Sequence, residues 1–467
     1  MKQGKLRGKH LKEIGFIDNR IISALMAIMS KHYKRETRAK QLEILNAFCK
    51  DPAAFINDEA LGTVAQALSY IKPERKEIMA KVDHVPFKIY GEQQIEPGAI
   101  HQMYNAMKLP VAIAGALMPD AHQGFGLPIG GVLAANNAII PYAVGLDIGC
   151  RMCLSVFELS PSIIDHDRHK LKTILADNTV FGGSAGFDKP MDDAIFSRSE
   201  FKEIKILKDL KDKAYRQIGS SGSGNHFVEF GIVEIMDSAG FEGLVPGKYL
   251  SLLSHSGSRG LGAGIANHYT HVARETCLLP SSLQNLAWLD MDSEAGQEYW
   301  AAMNLAGDYA EACHDQIHYR IAKALGMVPV LKVENHHNFA WKEKLANGAE
   351  AIVHRKGATP AGKGVLGIIP GSMTAPGYIV RGKGAADSLN SASHGAGRKM
   401  SRNKAKLAID KKSLAETLKR HKVELLGGGL DEAPMAYKDI KQVMKHQEQL
   451  VETIGVFTPR IVKMCKG

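Results

Sequence analysis

Asp147 and Cys150 close the apolar stretch Tyr142-Ala143-Val144-Gly145-Leu146-Asp147-Ile148-Gly149-Cys150, a carboxylate and a thiol three residues apart. A hard oxygen donor beside a soft sulfur donor suits manganese, iron or zinc better than calcium or magnesium. A cysteine after an apolar run is also ordinary core packing, so the pair needs partners before it reads as a site. Four histidine stretches supply candidates: Asn225-His226, Ser254-His255-Ser256-Gly257, His336-His337-Asn338 and Ser393-His394-Gly395-Ala396-Gly397-Arg398.

The elements that must position these residues read as strands. The apolar run 249–254 delivers His255 to a glycine-rich turn, and 328–333, with Pro329 near its start, feeds His337. Asp147 and Cys150 share that layout, at the end of the 142–150 run. His226 differs, since it stands just before the strand-like 227–233 run. Ligands delivered by several strand ends converge on one site more readily than lone histidines do. One thiolate, one carboxylate and three imidazoles are too many for a single tetrahedral ion that keeps an open position. They suit two ions sharing a bridging ligand, an arrangement used for phosphoryl transfer. The residues therefore point to a two-metal site acting on phosphates of a nucleic acid, and do not separate a ligase from a hydrolase.

Other stretches leave two readings open. Residues 118–126 form a glycine-rich loop with Asp120 and His122 two apart, suited to a metal-bound water, a phosphate or a structural turn. The Gly/Ser run 219–226 could cradle a phosphate, although it lacks Walker or Rossmann spacing. His354-Arg355-Lys356-Gly357 is either a phosphate grip or a solvated basic turn. His394, among small neighbours, has room to carry a covalent group, or could be a further metal ligand or a helix cap.

A chain of 467 residues, 45% of them hydrophobic, can bury a large core. No signal peptide or membrane-length apolar stretch is expected. The cysteines at 49, 150, 153, 277, 313 and 465 have no disulfide-framework spacing. Cys150 and Cys153 form a lone CxxC in which Cys153 reads as a packed core thiol, so a reducing cytoplasm is the expected location. The net charge of +10 is uneven: residues 1–40 hold eleven Lys and Arg against Glu13, Asp18 and Glu36, a surplus of eight. A second basic run comprises Arg398, Lys399, Arg402, Lys404 and Lys406. Both point to a polyanionic partner.

The first segment is helical by spacing: Ile21, Ile22, Leu25, Met26 and Met29; Leu42, Ile44, Leu45 and Phe48; then Leu61, Val64, Leu68 and Ile71. Breaks fall at Asp51-Pro52 and Lys72-Pro73. The expectation is a basic helical extension over 1–82 and a catalytic domain over 83–467. The second part opens with a short strand over 84–91. Beyond it glycine is frequent, strand-like and helical runs alternate, and 297–325 is a helix with a core stripe, so the fold class is α/β (α+β).

In chain order, MPDAHQGFG, VGLDIGC, GSGNHF, HSGSRGLG, HHN, HRKGAT, IPGSM, HGAGR and a terminal Lys-Gly resemble the motifs of the RtcB family of RNA-splicing ligases over roughly 84–467. The resemblance implies an RtcB-type catalytic fold with metal ligands at strand ends, two Mn²⁺ ions and GTP. The implied reaction joins RNA 2′,3′-cyclic phosphate or 3′-phosphate ends to 5′-hydroxyl ends in RNA splicing or repair. An archease-type activator is an implied partner. By the same resemblance Asp147, Cys150, His226, His255 and His337 hold the metals, with Cys150 bridging, and His394 takes GMP from GTP. Asn225, Glu229, Ser372, Gly395, Gly397, Tyr437 and Lys466 surround the guanylate, while Arg259 and Asn338 lie near phosphates. The chain departs from its relatives at Arg151, where Gly is usual, at Thr374 after Met373, and at Gly377, where some members have Ser. Two rivals are a two-metal phosphodiesterase or phosphatase acting on RNA 3′ ends without ligation, and a non-catalytic RNA-binding scaffold. The basic extension is expected to add RNA contacts.

Overall fold

The computed structural model describes residues 6–16, 19–69, 76–237, 241 and 244–466. Two units form, Met1–Arg75 and Lys76–Gly467. The first contains the helices Gly8–Ile14, Asn19–His32, Arg38–Lys50 and Gly62–Ser69. Ile22, Leu25 and Met29, Leu45 and Phe48, and Leu61 and Ala65, at three- and four-residue spacing, join Leu11 in a core of their own. Gly15, at φ +119°, ends the first helix, and the Thr37 hydroxyl caps the third by accepting from the Lys40 amide. Ile71, Lys72 and Pro73 lie outside the described residues.

The second unit mixes helices with sheets, as the α/β reading expects. Its larger sheet has the strand order Leu331–His336, Arg151–Phe157, Gly247–Ser256, Phe227–Ile235, Val451–Lys466, Gly377–Gly382 and Leu366–Ile369, each neighbour antiparallel. An eighth strand, Glu424–Gly428, pairs in parallel with Val451–Lys466. The sheet curls until its two end strands meet. There the Asn335 side-chain amide replaces a ladder, donating to the Ile368 carbonyl at 3.3 Å and accepting from its amide at 2.9 Å. Met152, Leu154 and Val156 point into the curl. Ser155 and Phe157 alternate onto the outer face, with Leu250 and Leu252, beneath the helices Glu294–Leu325 and Arg168–Asn178.

A five-stranded sheet runs Asn338–Lys344, Glu350–Lys356, Ile129–Ala135, Ala112–His122 and Lys88–Ile89. His337 is the single residue between Leu331–His336 of the first sheet and Asn338–Lys344 of the second, so the junction of the sheets carries it. Among the described residues no helix is long and apolar enough to cross a membrane.

Several local expectations are corrected. The 142–150 run is not a strand. Pro141 starts a one-turn helix, Pro141–Val144, and Gly145 (φ +99°) and Gly149 (φ +68°) turn the chain. Asp147 and Cys150 therefore precede the strand Arg151–Phe157. Asp120 and His122 lie in the strand Ala112–His122 rather than a loop, and 84–91 keeps only Lys88–Ile89 as strand.

His354, Arg355 and Lys356 are buried in the strand Glu350–Lys356, neither a solvated turn nor a phosphate grip. Their polar atoms are satisfied internally. Arg355 forms a two-point bond to Glu343 (2.5 and 3.1 Å) and lies over Trp341. His354 Nε2 accepts from the Ile140 amide at 2.9 Å, and Lys356 Nζ donates to the Phe125 and Tyr142 carbonyls at 2.6 and 2.9 Å.

Candidate active site

The turn that carries Cys150 is pressed against the helix Glu294–Leu325. A Cβ on Gly149 would meet Gly307 Cα at 2.8 Å, so only glycine fits there. Two backbone bonds lock this turn to the sheet junction: the Gly149 amide to Asn338 O (2.7 Å) and the His337 amide to Cys150 O (3.0 Å). Cys150 Sγ then lies 3.4 Å from His226 Nε2 and 3.2 Å from His255 Nε2. His255 Nε2 is 3.2 Å from His337 Nε2, and His226 Nε2 is 2.9 Å from Asp147 Oδ2. All five candidate ligands thus gather as two triads, Asp147/Cys150/His226 and Cys150/His255/His337, with Cys150 in both.

The donor set fits metal ions. His255 Nδ1 donates to the Asn225 carbonyl at 3.2 Å, which leaves its Nε2 lone pair facing the centre. Burial, then the charges of His226 and His394, push His255 down to about 3, and burial puts His337 well below the ordinary range. Neutral imidazole is the form that binds metal. In the protein alone burial and then Asp147 push the Cys150 thiol well up. A divalent cation reverses that balance by stabilising the thiolate.

A third group, Cys153, His314 and His318, lies on the outer face of the same sheet with similar spacing, but there every ring nitrogen already has a partner. The Ser256 carbonyl can only accept, so His314 Nε2 donates to it (3.2 Å) and His314 Nδ1 accepts from Ser254 Oγ (2.7 Å). Ser254 Oγ in turn accepts from His318 Nε2 (2.8 Å), and His318 Nδ1 accepts from Ser155 Oγ (2.7 Å). This is a closed, neutral hydrogen-bond chain braced behind His255. A metal there would have to break it. Arg151 is also accommodated: its buried guanidinium pairs with Glu311 at 3.0 Å and Glu334 at 3.3 Å.

His394 follows the strand Ser391–Ser393 and sits beside the candidate metal ligands, its ring 4.9 Å from that of His337. Fully buried Asp120 accepts from His394 Nδ1 at 2.7 Å and from its backbone amide at 3.2 Å. That bond keeps the proton on Nδ1 and leaves the Nε2 lone pair free of it. The pairing of Asp120 with His394 is what sequence reasoning missed. The MPDAHQG string marked Asp120, but with the wrong partner.

A cavity of about 670 Å³ opens beside His394, within the size range of small-ligand sites. Asn225, Glu229, Ser372, Gly377, Gly395, Gly397 and Tyr437 line it. Burial pushes the Glu229 carboxyl well up. Gly397 (φ +72°) has no room for a Cβ against the Asp120 carbonyl. Part of the second basic run also faces the cavity. Arg398 pairs with Glu432 at 3.1 Å and stacks over Tyr437, and Arg402 pairs with Asp431 at 3.1 Å.

Lys466, the last residue of the strand Val451–Lys466, is not in the lining. Arg259 is held inside the protein by Ser220 Oγ (3.2 Å) and the Gly182 carbonyl. Asn338 is tied to the Asp147 carbonyl at 3.3 Å and the Gly357 amide at 2.8 Å.

A model of the family described as tRNA-splicing ligase RtcB matches residues 102–204 and 162–465, a span that contains both triads, Asp120 and His394. The chain belongs to the RtcB family. RNA-splicing ligase RtcB1 of Escherichia coli is 33% identical over 82% of this chain and 98% of its own length. RNA-splicing ligase RtcB of Escherichia coli K12 is 32% identical with the same coverage. The tRNA-splicing ligase RtcB of Nanoarchaeum equitans is 29% identical over 82% of this chain and 96% of its own. The helical unit Met1–Arg75 lies outside the residues matched by the RtcB model.

Proposed function

We propose that this RtcB-family chain is an RNA ligase that uses GTP and two Mn²⁺ ions. It would join RNA ends bearing a 2′,3′-cyclic phosphate or 3′-phosphate to 5′-hydroxyl ends through a guanylyl-His394 intermediate. The observation that carries this reading is His394: its Nδ1 is fixed by buried Asp120 and its ring abuts the metal ligand His337. Phosphate hydrolysis at two metals needs no such group, whereas nucleotidyl transfer needs a nucleophile beside the ions.

In this mechanism His394 Nε2 attacks the α-phosphorus of GTP. A P–N bond forms, the bond to the bridging oxygen breaks, and pyrophosphate leaves. The ring keeps its Nδ1 proton, and the positive charge it gains is stabilised by Asp120. A cyclic RNA end is opened by water. An oxygen of the RNA 3′-phosphate then attacks the guanylyl phosphorus, breaking the P–N bond and freeing Nε2. Finally the 5′-hydroxyl attacks the RNA phosphorus, gives up its proton, and GMP departs. Asp147, Cys150, His226, His255 and His337 would hold the ions, which supply Lewis-acid neutralisation between phosphates. Asn225, Glu229, Ser372 and Tyr437, which line the cavity, would receive the guanylate.

The test is incubation with α-labelled GTP and Mn²⁺. Wild type should acquire an acid-labile label that His394→Ala does not. A wild type that binds metal and opens cyclic phosphate but takes no label is a hydrolase, which refutes the ligase reading.

A further inference from the structure

The helical unit Met1–Arg75 is built as a folded module, because Leu11, Leu25, Leu45, Phe48 and Leu61 close a core within it. Its surface is strongly basic. Lys9, Lys12, Lys31, Lys34 and Arg35 are all exposed. Three of these crowd the end of the helix Asn19–His32, where His32 and Tyr33 interleave with them. Cations also stand where the helix dipole disfavours them. Arg20 occupies the first turn of Asn19–His32, and Arg38 and Lys40 that of Arg38–Lys50, and neither turn contains an acid. The dipole favours acids at those positions, and of these cations Lys40 pairs with Glu43 at 2.9 Å.

Of the unit's acids, Asp51 and Asp58 are engaged as caps. Asp51 accepts from the Ala54 amide at 3.3 Å, and Asp58 from the Ala60 and Leu61 amides at 2.9 and 2.8 Å. By sequence, residues 1–40 hold eleven Lys and Arg against three acids, and the whole of Met1–Arg75 holds fourteen against eight. A folded module with clustered Lys and Arg, and a His-Tyr pair among them, matches the phosphates of a polynucleotide and the faces of its bases.

We propose that Met1–Arg75 is an RNA-binding module that grips the sugar–phosphate backbone of the substrate and contributes affinity without base specificity. This rests on the reading of the catalytic unit as an RNA ligase. The experiment uses the full chain and a labelled, single-stranded, 3′-phosphorylated oligoribonucleotide, with binding titrated across salt concentration. Wild type is compared with the combined Lys9→Gln, Lys12→Gln, Lys31→Gln, Lys34→Gln and Arg35→Gln variant. A second variant keeps every charge by exchanging Lys for Arg and Arg for Lys at the same positions.

The neutralised variant should bind RNA at least about tenfold more weakly, and its log–log salt slope should shrink by about 0.7 for each single-strand phosphate that is no longer neutralised. The charge-preserving variant should stay within about twofold of wild type, as expected for non-specific electrostatic binding. GTP labelling and metal content should be the same in all three, because the substituted residues lie in the other unit. A neutralised variant that matches wild type in affinity and slope, while wild type ligates RNA, overturns the module alone. A wild type that neither binds nor ligates RNA overturns the functional reading and this proposal together.

Discussion

Asp120→Asn isolates the step that distinguishes a guanylyl-transferring site from a plain two-metal centre. Asp120 is fully buried, and one of its oxygens, Oδ2, serves both the His394 ring (2.7 Å) and the His394 amide (3.2 Å). Asparagine has nearly the same shape but only one acceptor oxygen and no charge. If its NH₂ faces the ring, Nδ1 must become the acceptor and the proton moves to Nε2, which removes the nucleophilic lone pair. If its oxygen faces the ring, the geometry survives but the charge that stabilises the guanylated imidazole does not.

A hydrogen bond to a charged group contributes about 1.5–3 kcal/mol, which corresponds to roughly a tenfold to 150-fold change in rate. The inverted tautomer would add to that. Single-turnover labelling with α-labelled GTP should therefore slow by at least about tenfold, with metal content unchanged because Asp120 is in neither triad. The melting temperature should fall only modestly, since the substitution preserves volume and one bond. Labelling within threefold of wild type would refute the idea that Asp120 sets the His394 tautomer.

Metal analysis of the dialysed protein should find two Mn²⁺ per chain rather than three. Cys150→Ser should lower occupancy of both sites, while Cys153→Ser should leave it at two. A third ion that disappears with Cys153 would overturn the assignment of His314 and His318 to a hydrogen-bond chain.

Stability should also fall in acid. Burial pushes His318 down to about 3 and His354 to about 4, against about 6.5 in the unfolded chain. Between those values the unfolded state binds more protons than the folded one, so stability is complete above about pH 6.5 and falls towards pH 4. Thermal melts from pH 7 to 4.5 should show a steadily falling midpoint. His354→Gln should flatten that slope, and an unchanged midpoint in wild type would refute the burial argument.

Local patterns determined much of this protein. The three- and four-residue spacing of apolar residues reads out the helices of residues 6–69. Alternation in Met152-Cys153-Leu154-Ser155-Val156 sets which face of its strand enters the curled sheet. The histidines of GSGNHF, HSGSRGLG and HHN mark the candidate ligands because strand ends and glycine turns are short-range features. What local pattern misplaced is what long-range packing decides. Asp120 and His394 are 274 residues apart in sequence and meet only because the strand Ala112–His122 packs against the strand Ser391–Ser393. His354-Arg355-Lys356 is basic enough to read as solvated, yet Glu343 and backbone carbonyls of distant segments satisfy it in the interior. The cysteine–histidine clusters show the same limit. Cys150 with His255 and His337, and Cys153 with His314 and His318, use the same residue types at similar distances. Only the partners supplied by the fold, serines for one set and bare converging nitrogens for the other, make one a brace and the other a candidate metal centre.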